Sequence, residues 1–162
     1  MSALADSRFR LAAFVGVVVV VVDQATKALI ARSMVLHETI HVAPFFAFTY
    51  LRNTGAAFGV LAGAPAGVRL PLLVAVTFVA LVALVAFLRR APAGERWLVG
   101  ALGAILGGAL GNLICRIRYG EVIDFLDLHW GDLHWPPFNV ADSAITVGVA
   151  IVLLQGWRGR PS

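Results

Sequence analysis

Four stretches of the chain, residues 11–31, 68–88, 97–114 and 141–157, are long and almost entirely apolar. A helix rises about 1.5 Å per residue, so it needs about 20 such residues to cross the hydrocarbon core of a bilayer. No water is present there to satisfy an open backbone, which leaves the helix as the structure each stretch can adopt. The four stretches use about half of the 162 residues. The expectation is therefore an all-α membrane protein of four transmembrane helices, a single membrane-embedded domain over 1–162 with no room for a second, soluble one. Composition agrees: 60% hydrophobic against 14% charged residues is far from the balance of a water-soluble domain.

The first stretch follows Arg8 and Arg10 and has the look of a cleavable leader, but Asp23, Gln24 and Lys27 interrupt it before any cleavage site, which favours a retained span. The lone Cys115 excludes an internal disulfide or a cluster of thiolate ligands. A pI near 10.2 invites a nucleic-acid reading. The basic residues form no stripe, however, and collect at the ends of apolar runs, so no nucleic acid is expected as a partner. With four spans, both termini share a side with the loop 89–96. That side holds seven of the thirteen basic residues, Arg8, Arg10, Arg89, Arg90, Arg96, Arg158 and Arg160, against Asp6 and Glu95; the remainder carries six basic and seven acidic residues. The positive-inside rule makes both termini cytoplasmic.

Residues 32–67 and 116–140 then lie outside, too long to be plain turns. Thr39–Ala43 and 46–51 are rich in β-branched and aromatic residues and flank Pro44, which predicts a small extracytoplasmic β-rich hairpin or sheet whose apolar exterior rests on membrane lipid. Trp97 and Trp157 fall at the inner boundary, while Trp130 and Trp135 lie in the outer loop, as expected of aromatic groups at interfaces.

Charges inside a span are costly unless paired or facing a cavity, so Asp23, Lys27, Asn112, Arg116 and Asp142 require a reason. Counted outward from the cytoplasmic end, Asp23 lies about 18 Å up its span, and Asn112 and Asp142 about 22 Å up theirs. Three helices thus bring polar groups to one depth under the outer surface. Asp23 with Lys27, and Gly108 with Asn112 and Arg116, form stripes at i,i+4 spacing that can face a bundle interior. Gly103, Gly107, Gly108 and Gly111 allow helices to approach closely.

Water is a poor nucleophile for an amide, and two carboxylates sharing a proton supply a base and an acid together. Asp124 and Asp142 are the candidates, since the segment between them leaves the third span and returns to the fourth. Singly, each has a plainer explanation. Asp142 suits a helix cap, where a carboxylate satisfies free amides, and Asp124 suits a solvated loop. Asp127, His129, Asp132 and His134 have zinc-ligand chemistry, but their spacing matches no strong metal motif, and neither a metal nor another cofactor is expected. Ser143 lacks a nucleophile elbow and reads as a helix-start serine, and Cys115 reads as a buried, inert thiol.

Four blocks now stand in order along the chain: Asp23-Gln24-Ala25-Thr26-Lys27; Asn53-Thr54-Gly55-Ala56-Ala57-Phe58; the run from Gly107 through Asn112 to Arg116, followed by Gly120 and Val122-Ile123-Asp124-Phe125; and Phe138-Asn139-Val140-Ala141-Asp142-Ser143. Together they resemble the lipoprotein signal peptidases, also called signal peptidase II. The resemblance implies that Asp124 and Asp142 are the catalytic pair and that Asp23, Lys27, Asn53, Gly108, Asn112, Arg116, Asn139 and Ala141 surround or support it. One position departs: the family usually has an aspartate before the arginine of the third block, where this chain has Cys115, so an ion-pair partner of Arg116 is in question.

A monomer is expected, and the resemblance separately implies an aspartic endopeptidase of the bacterial inner membrane. It would remove the signal peptide from diacylglyceryl-modified prolipoproteins by cutting on the amino side of the lipidated cysteine, and it would be blocked by globomycin-type inhibitors. A small proton- or ion-coupled transporter is the alternative that intramembrane charges also permit. It requires polar residues through the full bilayer depth, whereas residues 11–22 and 148–154 are apolar.

Overall fold

The computed structural model describes residues 3–55, 63–92 and 94–158. In chain order these form α1 (Ala3–Ser33), β1 (Thr39–Ala43), β2 (Phe46–Asn53), α2 (Ala66–Arg90), α3 (Arg96–Tyr119), β3 (Val122–Trp130), β4 (Leu133–His134) and α4 (Val140–Arg158). The four helices contain the four expected spans, and each is long and apolar enough to cross a membrane. Ala56, Ala57 and Phe58, which complete the second block, lie outside the described residues.

The third helix does not stop where its apolar run does, near residue 114. It continues to Tyr119 because nothing breaks it before Gly120, whose φ of +73° lets its N–H donate back to the Arg116 carbonyl at 2.9 Å. A left-handed residue closing a helix is a glycine role. Arg116 therefore belongs to the last turn of α3, not to a loop, and its charge complements the carbonyl end of the helix.

α3 is the hub of the bundle, with more than half of its span buried, while α2 fully buries little of its own. Glycines make the hub possible. A Cβ at Gly103 or Gly107 would stand 2.5 Å from the carbonyl oxygens of Ala12 or Gly16 on α1, and one at Gly108 would stand 2.5 Å from that of Ala141 on α4. No side chain fits at such distances, so backbone meets backbone on two sides of one helix. Ala12, Leu88, Ala91, Val99 and Leu102 fill the core at the end where α2 turns into α3. There Arg8 donates to the carbonyls of Arg89 and Ala91, tying the start of α1 to that turn. Outward-facing Phe14, Val17, Val76, Phe78 and Val79 remain exposed, as lipid-facing residues must.

The β-rich segment draws on more of the chain than residues 32–67, where a small hairpin or sheet was expected. β1 and β2 pair as foreseen, but β3, from the other outer segment, is the longest strand, and the antiparallel order is β1-β2-β3-β4. Its run Val122–Phe125 is buried on both faces, which hides the alternation that marks a strand in sequence. Between the pairs Phe48↔Leu126 and Leu51↔Asp124, β2 spends one more residue than β3. Such a bulge bends the strand and lets both Thr49 and Tyr50 be buried. Ile123 and Phe125 join Tyr50, Ile30 and Met34 in a second core that seats the sheet on the C-terminal end of α1.

Candidate active site

Asn139 immediately precedes α4 and caps it. Its Oδ1 accepts from the Asp142 N–H at 3.0 Å, and Asp142 Oδ2 accepts in return from the Asn139 N–H at 3.2 Å. This is the reciprocal capping box, with an aspartate in the N3 place. The cap reading of Asp142 is therefore correct, and it does not compete with a catalytic role. The other oxygen, Oδ1, faces α3 and accepts from Asn112 Nδ2 at 2.8 Å.

The same Asn139 reaches the second aspartate. Its Nδ2 donates to Asp124 Oδ1 at 2.7 Å, while Asp124 Oδ2 accepts from Asn53 Nδ2 at 3.0 Å. Strand register explains the latter: Leu51 opposes Asp124 and Asn53 opposes Val122, so Asn53 and Asp124 are diagonal neighbours across β2 and β3. Asn53 is itself held by the Gly55 N–H, which donates to its Oδ1 at 2.9 Å. Asp124 is only 4% exposed, so it is not the solvated loop carboxylate that its local sequence suggests.

Beneath this pair lies a buried charge pair. Lys27 Nζ donates to Asp23 Oδ2 at 2.9 Å and to Asn112 Oδ1 at 2.8 Å. The second bond sets the direction of the Asn112 amide: with its oxygen on the lysine, its N–H2 can only face Asp142. Asp23 Oδ1 accepts from the Ala141 N–H at 3.0 Å, tying α1 to the first turn of α4. Ala141 is fully buried, and its carbonyl is the atom that Gly108 approaches. Helices α1, α3 and α4 thus converge on the residues that carry the carboxylates.

Arg116 makes no direct salt bridge among the described residues, although Asp142 and Asp124 act on its charge from a distance; its Nη2 donates to the Gly55 carbonyl at 3.1 Å, holding the backbone beyond β2. Cys115 is buried and faces α1, where its sulfur accepts from Gln24 Nε2 at 3.6 Å. All ten residues singled out in sequence meet in this one region. Two further neighbours were named in the sequence for other reasons and not counted with the site. Gln24 donates to Asp23 and to the Gly111 carbonyl, and Gly111 leaves room for Asp23, whose Oδ2 would lie 2.6 Å from a Cβ there. Both stand in the quoted blocks, but single spacings cannot distinguish them from packing residues.

Burial pushes the Asp124 carboxyl up to about 6, and the neighbouring Asp142 charge adds to the effect; donors from Asn53 and Asn139 and the charge of Lys27 act the other way. A carboxyl held near that value beside a second carboxylate suits proton exchange with a water molecule.

The family model described as signal peptidase (SPase) II matches residues 15–158. The chain belongs to the signal peptidase II family. It is 50% identical over 153 residues to a lipoprotein signal peptidase of Syntrophotalea carbinolica, covering 94% of each protein. Against the lipoprotein signal peptidase of Geobacter metallireducens the identity is 48% over 148 residues, with 91% of this chain and 90% of that one covered. A bacterial membrane enzyme solved by the in meso method at 2.3 Å resolution superposes with a TM-score of 0.82 at 34% identity, over 91% of this chain and 87% of that one. A second, at 1.9 Å resolution, gives 0.80 at 34% identity over 92% and 94%. Membership makes the chain an aspartic peptidase, a hydrolase with four spanning helices, and gives the transporter alternative no support.

Proposed function

We propose that this peptidase removes the signal peptide from diacylglyceryl-modified prolipoproteins, cutting on the amino side of the lipidated cysteine, with Asp124 and Asp142 as its catalytic pair. The observation that carries the assignment is Asn139, a single side chain and backbone amide bonded to both carboxylates from two different elements. Asp142, its two oxygens oriented by Asn112 and Asn139, removes a proton from water as the oxygen attacks the scissile carbonyl. Asp124 carries the shared proton, polarises that carbonyl, and the proton then passes to the departing amine.

Asn53, Asn112 and Asn139 hold the carboxylates in place, and Asp23, Lys27, Gly108, Ala141 and Arg116 hold the elements that bear them. No metal takes part in the chemistry. The site stands near the outer surface of the bacterial cytoplasmic membrane, with both termini cytoplasmic and one chain sufficient to form it. A substrate anchored by acyl chains would slide in between helices with its lipid still in hydrocarbon. The β1–β2 segment would clamp the peptide.

The test is cleavage of a diacylated prolipoprotein by the purified protein in detergent. Asp124→Asn and Asp142→Asn are each expected to lower kcat by at least about a hundredfold, the scale of a lost general acid or base, while a chelator and globomycin separate metal dependence from family behaviour. Unimpaired cleavage by either variant would remove that aspartate from the mechanism, and inactivation by chelation would replace it.

A further inference from the structure

The β3–β4 hairpin places three further chemistry-bearing side chains together, away from the aspartate pair. Side chains alternate along a strand, so Asp127 and His129 share one face of β3 while Asp124 belongs to the other. The two-residue turn Gly131-Asp132 pairs His129 with His134 directly across the strands. One hairpin register thus brings a carboxylate and two imidazoles to one point, with ligand atoms all within 4.8 Å of one another. His41, from β1, lines the same cleft and meets the His129 ring edge-on at 5.5 Å between centroids.

We infer that Asp127, His129 and His134 bind a divalent cation of the zinc class, a site separate from the catalytic pair. The donor set of two imidazole nitrogens and one carboxylate oxygen suits a borderline ion. Ligands each about 2.1 Å from a tetrahedral ion stand roughly 3.4 Å apart. The distances from Asp127 Oδ1 bracket that value, at 2.9 Å to His134 Nδ1 and 3.8 Å to His129 Nδ1.

A second observation points the same way. The His129 side chain is 9% exposed, and its Nδ1 is buried without a hydrogen-bond partner although it faces the carboxylate. A buried polar atom left unpaired is costly, and a cation seated between the three groups satisfies it. Asp127, 5% exposed, already shares its carboxylate with His134 Nδ1, and a dication among the three groups offsets the remaining cost of its burial. Three protein ligands leave a fourth position to water or to His41. An ion there would clip β4 to the strand that bears Asp124, bracing the sheet without touching the reacting atoms.

The experiment uses tag-free full-length protein in detergent, titrated with zinc in competition with a chromophoric chelator. One equivalent is expected to bind saturably and to raise the thermal midpoint. His134→Ala, at a half-exposed position, should weaken binding at least tenfold and abolish the thermal shift while cleavage persists, and His129→Ala should weaken binding as well. His37→Ala, remote from the hairpin, should bind as the parent does. Absence of a stoichiometric site, or binding unchanged in His134→Ala, would overturn the assignment; persisting cleavage shows that the variant is folded and keeps this result independent of the peptidase reading.

Discussion

Lys27 shows how much of this site depends on a residue that touches no reacting atom. It neutralises Asp23 and orients Asn112, and both it and Asp23 are almost wholly buried. Removing one partner of a buried pair costs about 3–5 kcal/mol, because the other charge is stranded. Lys27→Met should therefore lower the thermal midpoint in detergent strongly. Adding Asp23→Asn should recover most of the loss, since a neutral amide still accepts from the Ala141 N–H; a double variant no more stable than the single one would contradict the pairing. Asp124 makes a prediction in pH. Its carboxyl, raised to about 6, is protonated below that value and ionised above it. If it supplies the proton, kcat/KM falls as pH climbs past about 6. Asn53→Ala removes a donor that favours the ionised form, so the falling limb should move to higher pH. A limb unmoved in that variant would take Asp124 out of the acid role.

Among the elements, α3 decides where the carboxylates stand. Its Gly108 lies against the Ala141 carbonyl in the first turn of α4, the turn that carries Asp142. Gly108→Ala must push the two helices apart by the better part of an ångström, and misplacement of a catalytic group by that much can cost about a hundredfold in rate. Gly100, on the same helix, has open space where its Cβ would go. Gly100→Ala should leave cleavage unchanged, which separates helix approach from a general effect of added methyl groups. Equal losses in the two variants would argue against the close contact as the cause. Arg116 belongs to this scale too. It binds the Gly55 carbonyl from the last turn of α3, so the helix end holds the chain that follows β2 with Cys115 as its neighbour.

At the scale of the whole molecule, the polar cluster and the sheet occupy one end of the bundle, and the turn between α2 and α3 occupies the other. On the proposed orientation, the positive-inside rule puts the end that carries the site outside. A cysteine at the well-exposed Trp130 should react with a membrane-impermeant maleimide on intact cells, whereas Glu95→Cys should react only after permeabilisation. Buried Cys115 should contribute little background. The reverse pattern would invert the topology.

The four apolar helices, their order and the polar stripes along them were legible in the sequence, because hydropathy and the helical repeat are local properties that survive without a fold; Asn53, Asn139 and Ala141 came only from the family resemblance. Asp142 as a cap was legible for the same reason, since a cap is a matter of three or four neighbouring residues. The strand β3 was not: burial on both faces erases its alternation, and its partners lie some seventy positions away. The burial of Asp124 and its contact with Asn53 followed only from that pairing. The closely spaced acids and histidines after Asp124 matched no metal motif in linear order, yet the hairpin register sets three of their ligand groups face to face. The sequence by itself thus determined which stretches are long and apolar enough to span a membrane and which polar residues interrupt them. Only the tertiary structure decided which of them meet, because strand register and helix approach join positions whose separation along the chain carries no trace of the contact.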